Sequence, residues 1–534
     1  WAAVARSLPD EKHVAVLPFR AVGGGPDAQA FSDGLVETLA SGLTQLEQYQ
    51  GALWVVPASE VRAQGVESPS AARRMLGATL VVTGSVQRSG GRVRVPLTLV
   101  DAETMRQVRS ETIDVPEARL NTLPAEVAAA LEGMLDLELQ AEARPDLTAS
   151  GTESAEAFDA VMQGTGYMDR RDDPANLERA AGLFRRAIAA DPRYALAHAR
   201  LGEAYAHRFV TGRDERWLVR AEASAREALA LAPDAPATHV LLSRVARLRG
   251  AHPEALASAR RALALDPASD DAMVALARAH AAAGDDARAE QAYLRAVRLK
   301  PGYWSTQNTL GVFYFENARY GEAADRFREA VRLAPGNSQA LLNLGSAVWT
   351  EGRTDEARAL FERSIAARPN AEAFSNLGTI AYDEGRFAES VGAYRRSLAL
   401  AGSDVVVWGN LASAYEALER PADVRRAYVE GVRQGEARLS VNPHDADVLA
   451  TVAGFYAELG RRREARRAAD RAAGFDPSVE VQVVLAGVYG MLGEDETARR
   501  WLRQALTEGY PRALAAEDPV LAPYLGGARS GPVL

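Results

Sequence analysis

The chain has 534 residues, which is too long for one ordinary globular core, and its 47% hydrophobic and 25% charged residues are a normal soluble composition. Its formal charge of −9 argues against general binding of nucleic acids or anionic membranes, because both need a basic face; a local basic patch stays open. The sequence contains no cysteine, which excludes disulfides, thiolate metal sites and cysteine nucleophiles.

The first part of the chain has a mixed strand and helix pattern. The apolar run His13–Phe19 is typical of a strand, and apolar residues between Phe31 and Leu46 recur at intervals of three and four, which is typical of an amphipathic helix. We therefore predict a small α/β domain over residues 12–144 with the order β-α-β-α-β-β-β-α. Its other predicted elements are a strand at Leu53–Val56, a helix at Ser68–Leu76, antiparallel strands at Thr79–Gln87, Val93–Val100 and Gln107–Val115, and a helix at Pro124–Gln140.

Residues 145–153 are rich in Pro, Gly, Ser and Thr and predict a linker. Beyond them a 34-residue period begins, marked by prolines that end each unit. We expect about ten helix-turn-helix units over residues 154–510, stacked into an all-α solenoid with a continuous groove. Residues 511–534 are expected to form a capping helix and a tail. The marking prolines are Pro233, Pro267, Pro301, Pro335 and Pro369, and later Pro443 and Pro477.

The residues offer no constellation that would support catalysis. The Gly23–Gly25 loop lies between a strand and a helix but lacks the spacing of a nucleotide-binding loop, so we interpret it as a simple connection. The seven histidines are scattered, and none forms the helical pair of a zinc site. We therefore expect no catalytic residue, no cofactor and no metal ion.

The repeating part resembles the tetratricopeptide repeat family. Asn343-Leu344-Gly345, Asn376-Leu377-Gly378 and Asn410-Leu411-Ala412 stand where that family has Asn-Leu-Gly. The resemblance covers roughly two thirds of the chain, and it implies a superhelical solenoid whose first helices line a concave groove. It also implies a protein or peptide ligand, and the net charge argues against a nucleic acid.

The amino-terminal part resembles the TolB-like domain of bacterial multidomain proteins. The stretches that carry this resemblance are His13–Phe19, Phe31–Leu43 and Leu76–Met105. The pair of modules is similar to the extracytoplasmic halves of membrane-anchored bacterial serine/threonine kinases, cyclases and winged-helix regulators. The resemblance implies a periplasmic or cell-surface location, with release from an anchor as a further option.

The chain begins at Trp1 without a methionine, and residues 1–11 resemble the juxtamembrane lead of those proteins. We expect that a segment upstream of Trp1 was removed, and that any contact with a membrane is made through it. The chain has no glycine-rich nucleotide loop, His-Arg-Asp or Asp-Phe-Gly motif, so kinase activity is not inferred from the resemblance.

The predicted groove site consists of three aromatic residues and three asparagines. Phe315, Trp349 and Tyr382 share one groove-facing position in the fifth, sixth and seventh units, where aromatic rings suit a peptide-binding hot spot. The alternative is that they only pack against the adjacent helix. The asparagines either bind an extended peptide backbone or only orient helix termini; they are Asn343, Asn376 and Asn410.

Three functions of different classes follow. The leading hypothesis is a non-enzymatic interaction, sensing or scaffold module that binds a protein or peptide in the groove. The alternative is a structural protein that assembles into homo-oligomers, filaments or tubes through head-to-tail repeat contacts, unless the segment after Pro511 caps its own repeat. An enzyme is the weakest hypothesis, because no cluster of titratable groups can be assembled from the sequence.

Overall fold

The computed structural model describes residues 12–46, 53–137, 151–170, 174–212, 214–475 and 477–525. The predicted lead at 1–11, most of the predicted linker and the end of the tail fall outside these residues. Within them, an α/β domain is followed by a long run of helices, which confirms the predicted fold class.

The α/β domain contains six strands, four α-helices and one 3-10 turn in the described residues. The elements are β1 (Lys12–Val16), β2 (Arg20–Val22), α1 (Gly25–Leu46), β3 (Leu53–Val56), α2 (Ala58–Ala63), α3 (Pro69–Leu76), β4 (Leu80–Ser89), β5 (Arg92–Asp101), β6 (Arg106–Pro116), a 3-10 turn (Glu117–Thr122) and α4 (Leu123–Leu135). The predicted order is present, with two additions: the short elements β2 and α2. The last helix ends at Leu135 and not at Gln140, and residues 138–140 are not described.

The sheet is mixed, with the strand order β3-β1-β4-β5-β6, and β2 also pairs with β4. Strand β1 is parallel to β3 and β4, whereas β4, β5 and β6 form the predicted antiparallel meander. The β4–β5 turn contains Gly90 and Gly91 with φ of 59° and 70°, a conformation that favours glycine. The hairpin position therefore follows directly from the sequence.

Twenty helices follow in the described residues, and in the repeat register they alternate as the first and second helices of ten successive units. Their bounds are α5 (Ala155–Met168), α6 (Pro174–Ala190), α7 (Ala195–Gly212), α8 (Glu215–Leu231), α9 (Pro236–Leu248), α10 (His252–Leu265), α11 (Asp270–Ala282), α12 (Asp286–Leu299), α13 (Trp304–Glu316), α14 (Tyr320–Leu333), α15 (Ser338–Thr350), α16 (Thr354–Ala367), α17 (Ala371–Asp383), α18 (Phe387–Leu400), α19 (Val405–Ala417), α20 (Pro421–Val441), α21 (Ala446–Glu458), α22 (Arg462–Ala473), α23 (Val479–Met491) and α24 (Asp495–Thr507).

Small residues on first helices face aromatic rings on second helices. A Cβ atom added to Gly311 would lie 2.5 Å from the ring of Phe327, and one added to Gly378 would lie 2.7 Å from the ring of Tyr394. Both rings are almost fully buried. Because each glycine leaves room for one ring, this pairing brings the two helices of a unit together and accounts for the repeating pattern in the sequence.

The chain forms two compact units, Trp1–Thr211 with Glu215–Gly352 and Gly212–Asp214 with Arg353–Leu534. The first unit contains the α/β domain, and α1 packs closely against α5. One hydrophobic core runs from Val14 in the sheet through Phe158 in α5 to Val245 in α9. The α/β domain and the first repeats are therefore joined by a shared core.

Polar contacts reinforce this junction in the first unit. Arg62 of α2 lies 2.5 Å from Glu37 of α1 and 2.8 Å from Asp169 at the end of α5. Arg88 of β4 contacts Asp159 of α5 at 2.5 Å. The ring of Trp54 on β3 packs against Gly302, before α13, so the α/β domain also contacts the fifth repeat.

The second unit has one long helix and a short terminal segment. Helix α20 has 21 residues, and its glycines Gly431 and Gly435 approach Phe455 and Val452 of α21. After α24 comes a six-residue helix, α25 (Arg512–Glu517), and a 3-10 turn (Ala522–Tyr524). The predicted cap is therefore much shorter than a full repeat helix.

Candidate functional site

Asparagines connect adjacent first helices in the first unit. The Asn343 amide nitrogen donates to the Asn308 side-chain oxygen at 2.9 Å, and Gln339 donates to the Asn343 side-chain oxygen at 2.9 Å. Asn343 thus links α13 to α15. The Asn308 amide nitrogen has no acceptor among the described residues, so it is available to a ligand.

The three predicted aromatic residues are all half-buried. In the first unit, the Phe315 ring contacts the Tyr320 ring edge-on, with centroids 5.2 Å apart. In the second unit, the Tyr382 ring contacts the Phe387 ring in the same way at 5.3 Å. Each of these two rings packs against the start of its own second helix and keeps part of its surface exposed. The packing contact is present, and contact with a ligand stays a prediction.

Phe315 and Trp349 belong to the first unit, and Tyr382 belongs to the second. Asn376 and Asn410 lie on α17 and α19 of the second unit, where both are half-buried. Their side chains have no hydrogen-bond partner among the residues that the structure describes. A stripe that crosses all three repeats stays a prediction.

A cleft of about 500 Å³ opens on the first helices of the third to fifth repeats. Its lining includes Arg247 of α9, Arg278 of α11, and Asn308, Val312 and Glu316 of α13. This volume is within the range of small ligand sites and can hold one or two side chains of a peptide. The cleft is adjacent to the Asn308–Asn343 pair.

The cleft contains two cations without a direct anionic partner. No carboxylate lies within 4 Å of either the Arg247 or the Arg278 guanidinium group in the part of the chain that the structure describes. Burial lowers the pKa of Arg247, and the charge of Arg278 lowers it further. The pKa of Tyr293, which also lines the cleft, is raised mainly by burial. Because Glu316 and Asp286 also line the cleft, its surface carries charges of both signs.

Sequence reasoning missed these two arginines, although the register contains a signal for both. Arg247 holds in α9 the position that Phe315 holds in α13, and Arg278 holds the position of Val312. The prediction concentrated on aromatic residues and on the fifth to seventh repeats. Arginines at these two positions of the third and fourth repeats could have indicated the cleft.

A larger cleft of about 890 Å³ lies in the second unit, between α18, α19 and α20. Its floor includes Leu398, Trp408 and Leu411, and its rim is rich in arginine. The Trp408 indole nitrogen donates to the Gly402 carbonyl oxygen at 2.9 Å, which fixes the ring at the edge of the cleft. Two of the rim arginines, Arg420 and Arg426, pair with Asp423.

Comparison with known proteins identifies the repeat. Residues 220–270, 254–303 and 309–372 match the family model described as tetratricopeptide repeat. The chain contains tetratricopeptide repeats. The matched stretches include Arg247, Arg278 and Val312 of the 500 Å³ cleft, and Asn308 lies just before the last match.

A curated relative is named putative adenylate cyclase 3, from Rhizobium meliloti (strain 1021). It is 27% identical over 196 residues, which are 36% of this chain and 32% of the relative. The matched region thus spans about a third of the relative's length. None of the helices in the described residues has the length and apolar character needed to cross a bilayer.

Three solved structures are similar to parts of this chain. PilF of Pseudomonas aeruginosa is 22% identical, with 40% of this chain and 98% of that chain covered and a TM-score of 0.34. PilW, a type IV pilus biogenesis factor, is 20% identical, with coverage of 36% and 91% and a TM-score of 0.33. A chain of the APC/C hetero-tetramer Cut9–Hcn1 is 15% identical, with coverage of 68% and 81% and a TM-score of 0.36. At these scores the similarities carry no functional argument.

Proposed function

We propose that this chain is a non-catalytic module that binds a protein or peptide through the inner face of its tetratricopeptide repeats. The observation that carries the proposal is the cleft lined by Arg247, Arg278 and Asn308. The nearby half-buried rings of Phe315 and Trp349 supply apolar contact area beside these polar groups.

We further propose that the module senses or organises partners as part of a larger bacterial protein outside the cytoplasm. The resemblance of its two modules to the extracytoplasmic halves of signalling proteins supports this. So does the relative named putative adenylate cyclase 3, of which the match spans only a third. In this proposal any catalytic activity belongs to other parts of such proteins.

The carboxyl-terminal segment favours ligand binding over head-to-tail assembly. Leu521 and Ala515 are buried in the core of the second unit, and the Tyr524 hydroxyl donates to Asp495 at 3.0 Å. The Tyr524 ring also lies against Gly490 of α23. The segment covers the last repeat of its own chain, which leaves less apolar surface at that end for a second copy.

The test is a peptide array probed with the full chain, followed by fluorescence anisotropy on the selected peptides. We expect micromolar binding that weakens about tenfold in the double variant Phe315→Ala/Trp349→Ala, because an aromatic hot spot contributes more than 1 kcal/mol. Phe475→Ala is the matched control, because Phe475 is an exposed ring of the second unit outside the proposed site. Equal loss of binding in the control, or no selected peptide, would contradict the proposal.

A further inference from the structure

The cleft of about 890 Å³ in the second unit lies on a different side of α19 from the predicted groove. Trp408, Leu411 and Tyr415 line this cleft, and their spacing of three and four residues places them on one face of the helix. By the repeat register, the groove positions of α19 include Asn410 and Glu416. At about 3.6 residues per turn the two sets lie on nearly opposite faces of α19, so the cleft is separate from the groove.

The cleft exposes apolar surface on more than one helix. Val429 of α20 is 50% exposed, and Trp408 of α19 is half-buried. Leu398 of α18 and Leu411 of α19 also line the cleft. Three helices thus contribute apolar side chains to one concave surface, and a partner that removes this surface from water would gain binding energy from it.

Four arginines but only two carboxylates line the cleft, and both carboxylates already have partners. Asp423 lies 2.6 Å from Arg420 and also pairs with Arg426. Glu430 pairs with Arg433, which does not line the cleft. The surface around the apolar side chains therefore has an excess of positive charge.

This excess comes from Arg395 of α18 and Arg425 of α20. Both side chains are exposed, and no carboxylate lies within 4 Å of either guanidinium group among the residues that the structure describes. Arg395 is three residues before Leu398, and Arg425 is four residues before Val429, spacings that place each cation beside an apolar side chain of its own helix. Carboxylates next to the apolar side chains of a partner would complement these cations.

We propose that this cleft is a second binding surface, and that it takes an amphipathic helix whose apolar stripe is flanked by Asp or Glu. A helix presents apolar residues and flanking charges at intervals of three and four, which are the intervals between cation and apolar residue on α18 and α20. An extended strand alternates its side chains between two faces and does not match this arrangement. A chain with this surface and the groove would hold two partners at once, which goes beyond the proposed function.

The experiment measures the anisotropy of three fluorescein-labelled peptides of about four helical turns with the full chain. The first has leucines at intervals of three and four with glutamates beside them, the second has lysines in place of the glutamates, and the third has the residues of the first with leucines at every second position. We expect the first peptide to bind most tightly, and less tightly in 150 mM than in 50 mM salt.

Val429→Asp should weaken binding of the first peptide about tenfold, because it places a negative charge in the apolar surface. The matched control is Val484→Asp on α23, an exposed valine that does not line the cleft, and it should change binding less than about twofold. Similar effects of the two variants would overturn the proposal.

Arg395→Gln/Arg425→Gln should weaken binding of the first peptide about three- to tenfold. The control Arg463→Gln/Arg467→Gln removes two exposed arginines of α22, changes the net charge equally and should change binding less than about twofold. Equal losses in the two double variants would show that only the net charge matters, which contradicts the proposal.

The wild-type chain keeps the test valid if a variant unfolds. No binding of the first peptide would overturn the proposal, and so would equal or tighter binding of the second or the third. Phe315→Ala/Trp349→Ala should bind the first peptide as wild type does; weaker binding would place the peptide in the groove and overturn only this inference. A wild-type dimer in sedimentation that Val429→Asp abolishes would identify a second copy of the chain as the occupant and would also overturn it.

Discussion

Gly34 of α1 and Gly166 of α5 each face the backbone of the other helix. A Cβ atom on Gly34 would lie 1.9 Å from the Met162 carbonyl oxygen, and one on Gly166 would lie 1.9 Å from the Ala30 carbonyl oxygen. The two helices therefore approach at a distance that only glycine permits at these positions. Through this contact the α/β domain and the first repeats share one core.

Gly166→Ala should destabilise the first unit, because backbone atoms of α1 must move to accommodate the new methyl group. We expect a loss of about 1–3 kcal/mol in the free energy of unfolding, measured by urea denaturation followed by circular dichroism. Gly133→Ala in α4 is the control: its Cβ would meet no atom within 4 Å, and alanine favours a helix. Similar losses in both variants would show that the close approach of α1 and α5 does not contribute.

Gly431→Ala tests the second unit in the same way. The added Cβ would lie 2.6 Å from the Phe455 ring, which is buried between Gly431 on one side and Gly409 on the other. We expect a loss of about 1–3 kcal/mol, because the ring has no free space into which it can move. Gly392→Ala in α18 meets no atom within 4 Å and should be neutral or stabilising. A neutral Gly431→Ala would contradict the packing around Phe455.

Glu60 should make the stability of the first unit dependent on pH. Burial raises the pKa of this carboxyl to about 8, and its Oε2 atom has no hydrogen-bond partner among the described residues. Because the pKa is higher in the folded chain than in the unfolded chain, the protonated group stabilises folding at low pH. This contribution is complete below pH of about 4 and is lost as the pH rises through about 8.

Glu60→Gln keeps the shape of the side chain and removes the ionisation. Its stability relative to wild type should therefore increase with pH and exceed it by roughly 2–4 kcal/mol at pH of about 9. Urea denaturation between pH 5 and 9 would measure the difference. Glu103→Gln, at an exposed site, should show no such trend. A difference that is constant with pH would show that Glu60 does not titrate in this range.

The repeats could be predicted from the sequence because each unit carries its own signals. Glycines such as Gly311 and rings such as Phe327 recur at a fixed spacing, and each pair makes its contact within one unit. The contact between Gly34 and Gly166 has no such signal, since it joins two helices that lie far apart in the chain. Short elements such as β2 were missed because three residues are too few to show a period.

The candidate site could be predicted only in part for a similar reason. The register predicted groove positions, among them Phe315 and Asn343, and their binding role stays a prediction. It could not show that Arg247 and Arg278 lack carboxylate partners while Arg249 has one, because this depends on which acidic side chains of neighbouring helices reach each guanidinium group. Which exposed charges pair depends on how the folded helices are arranged, and the 34-residue period does not determine it.

Asn343 and Asn410 hold the same position in different repeats, and their contacts differ, so together they separate the two roles considered for these asparagines. Asn343 links α15 to α13 through Asn308 at 2.9 Å, whereas Asn410 has no side-chain partner among the described residues. Asn343→Ala should therefore lower the free energy of unfolding by about 0.5–1.5 kcal/mol, and Asn410→Ala should change it by less than about 0.5 kcal/mol. Urea denaturation of both variants measures this difference. Equal changes in the two variants would mean that the Asn343–Asn308 hydrogen bond makes no specific contribution to the stability of the repeats.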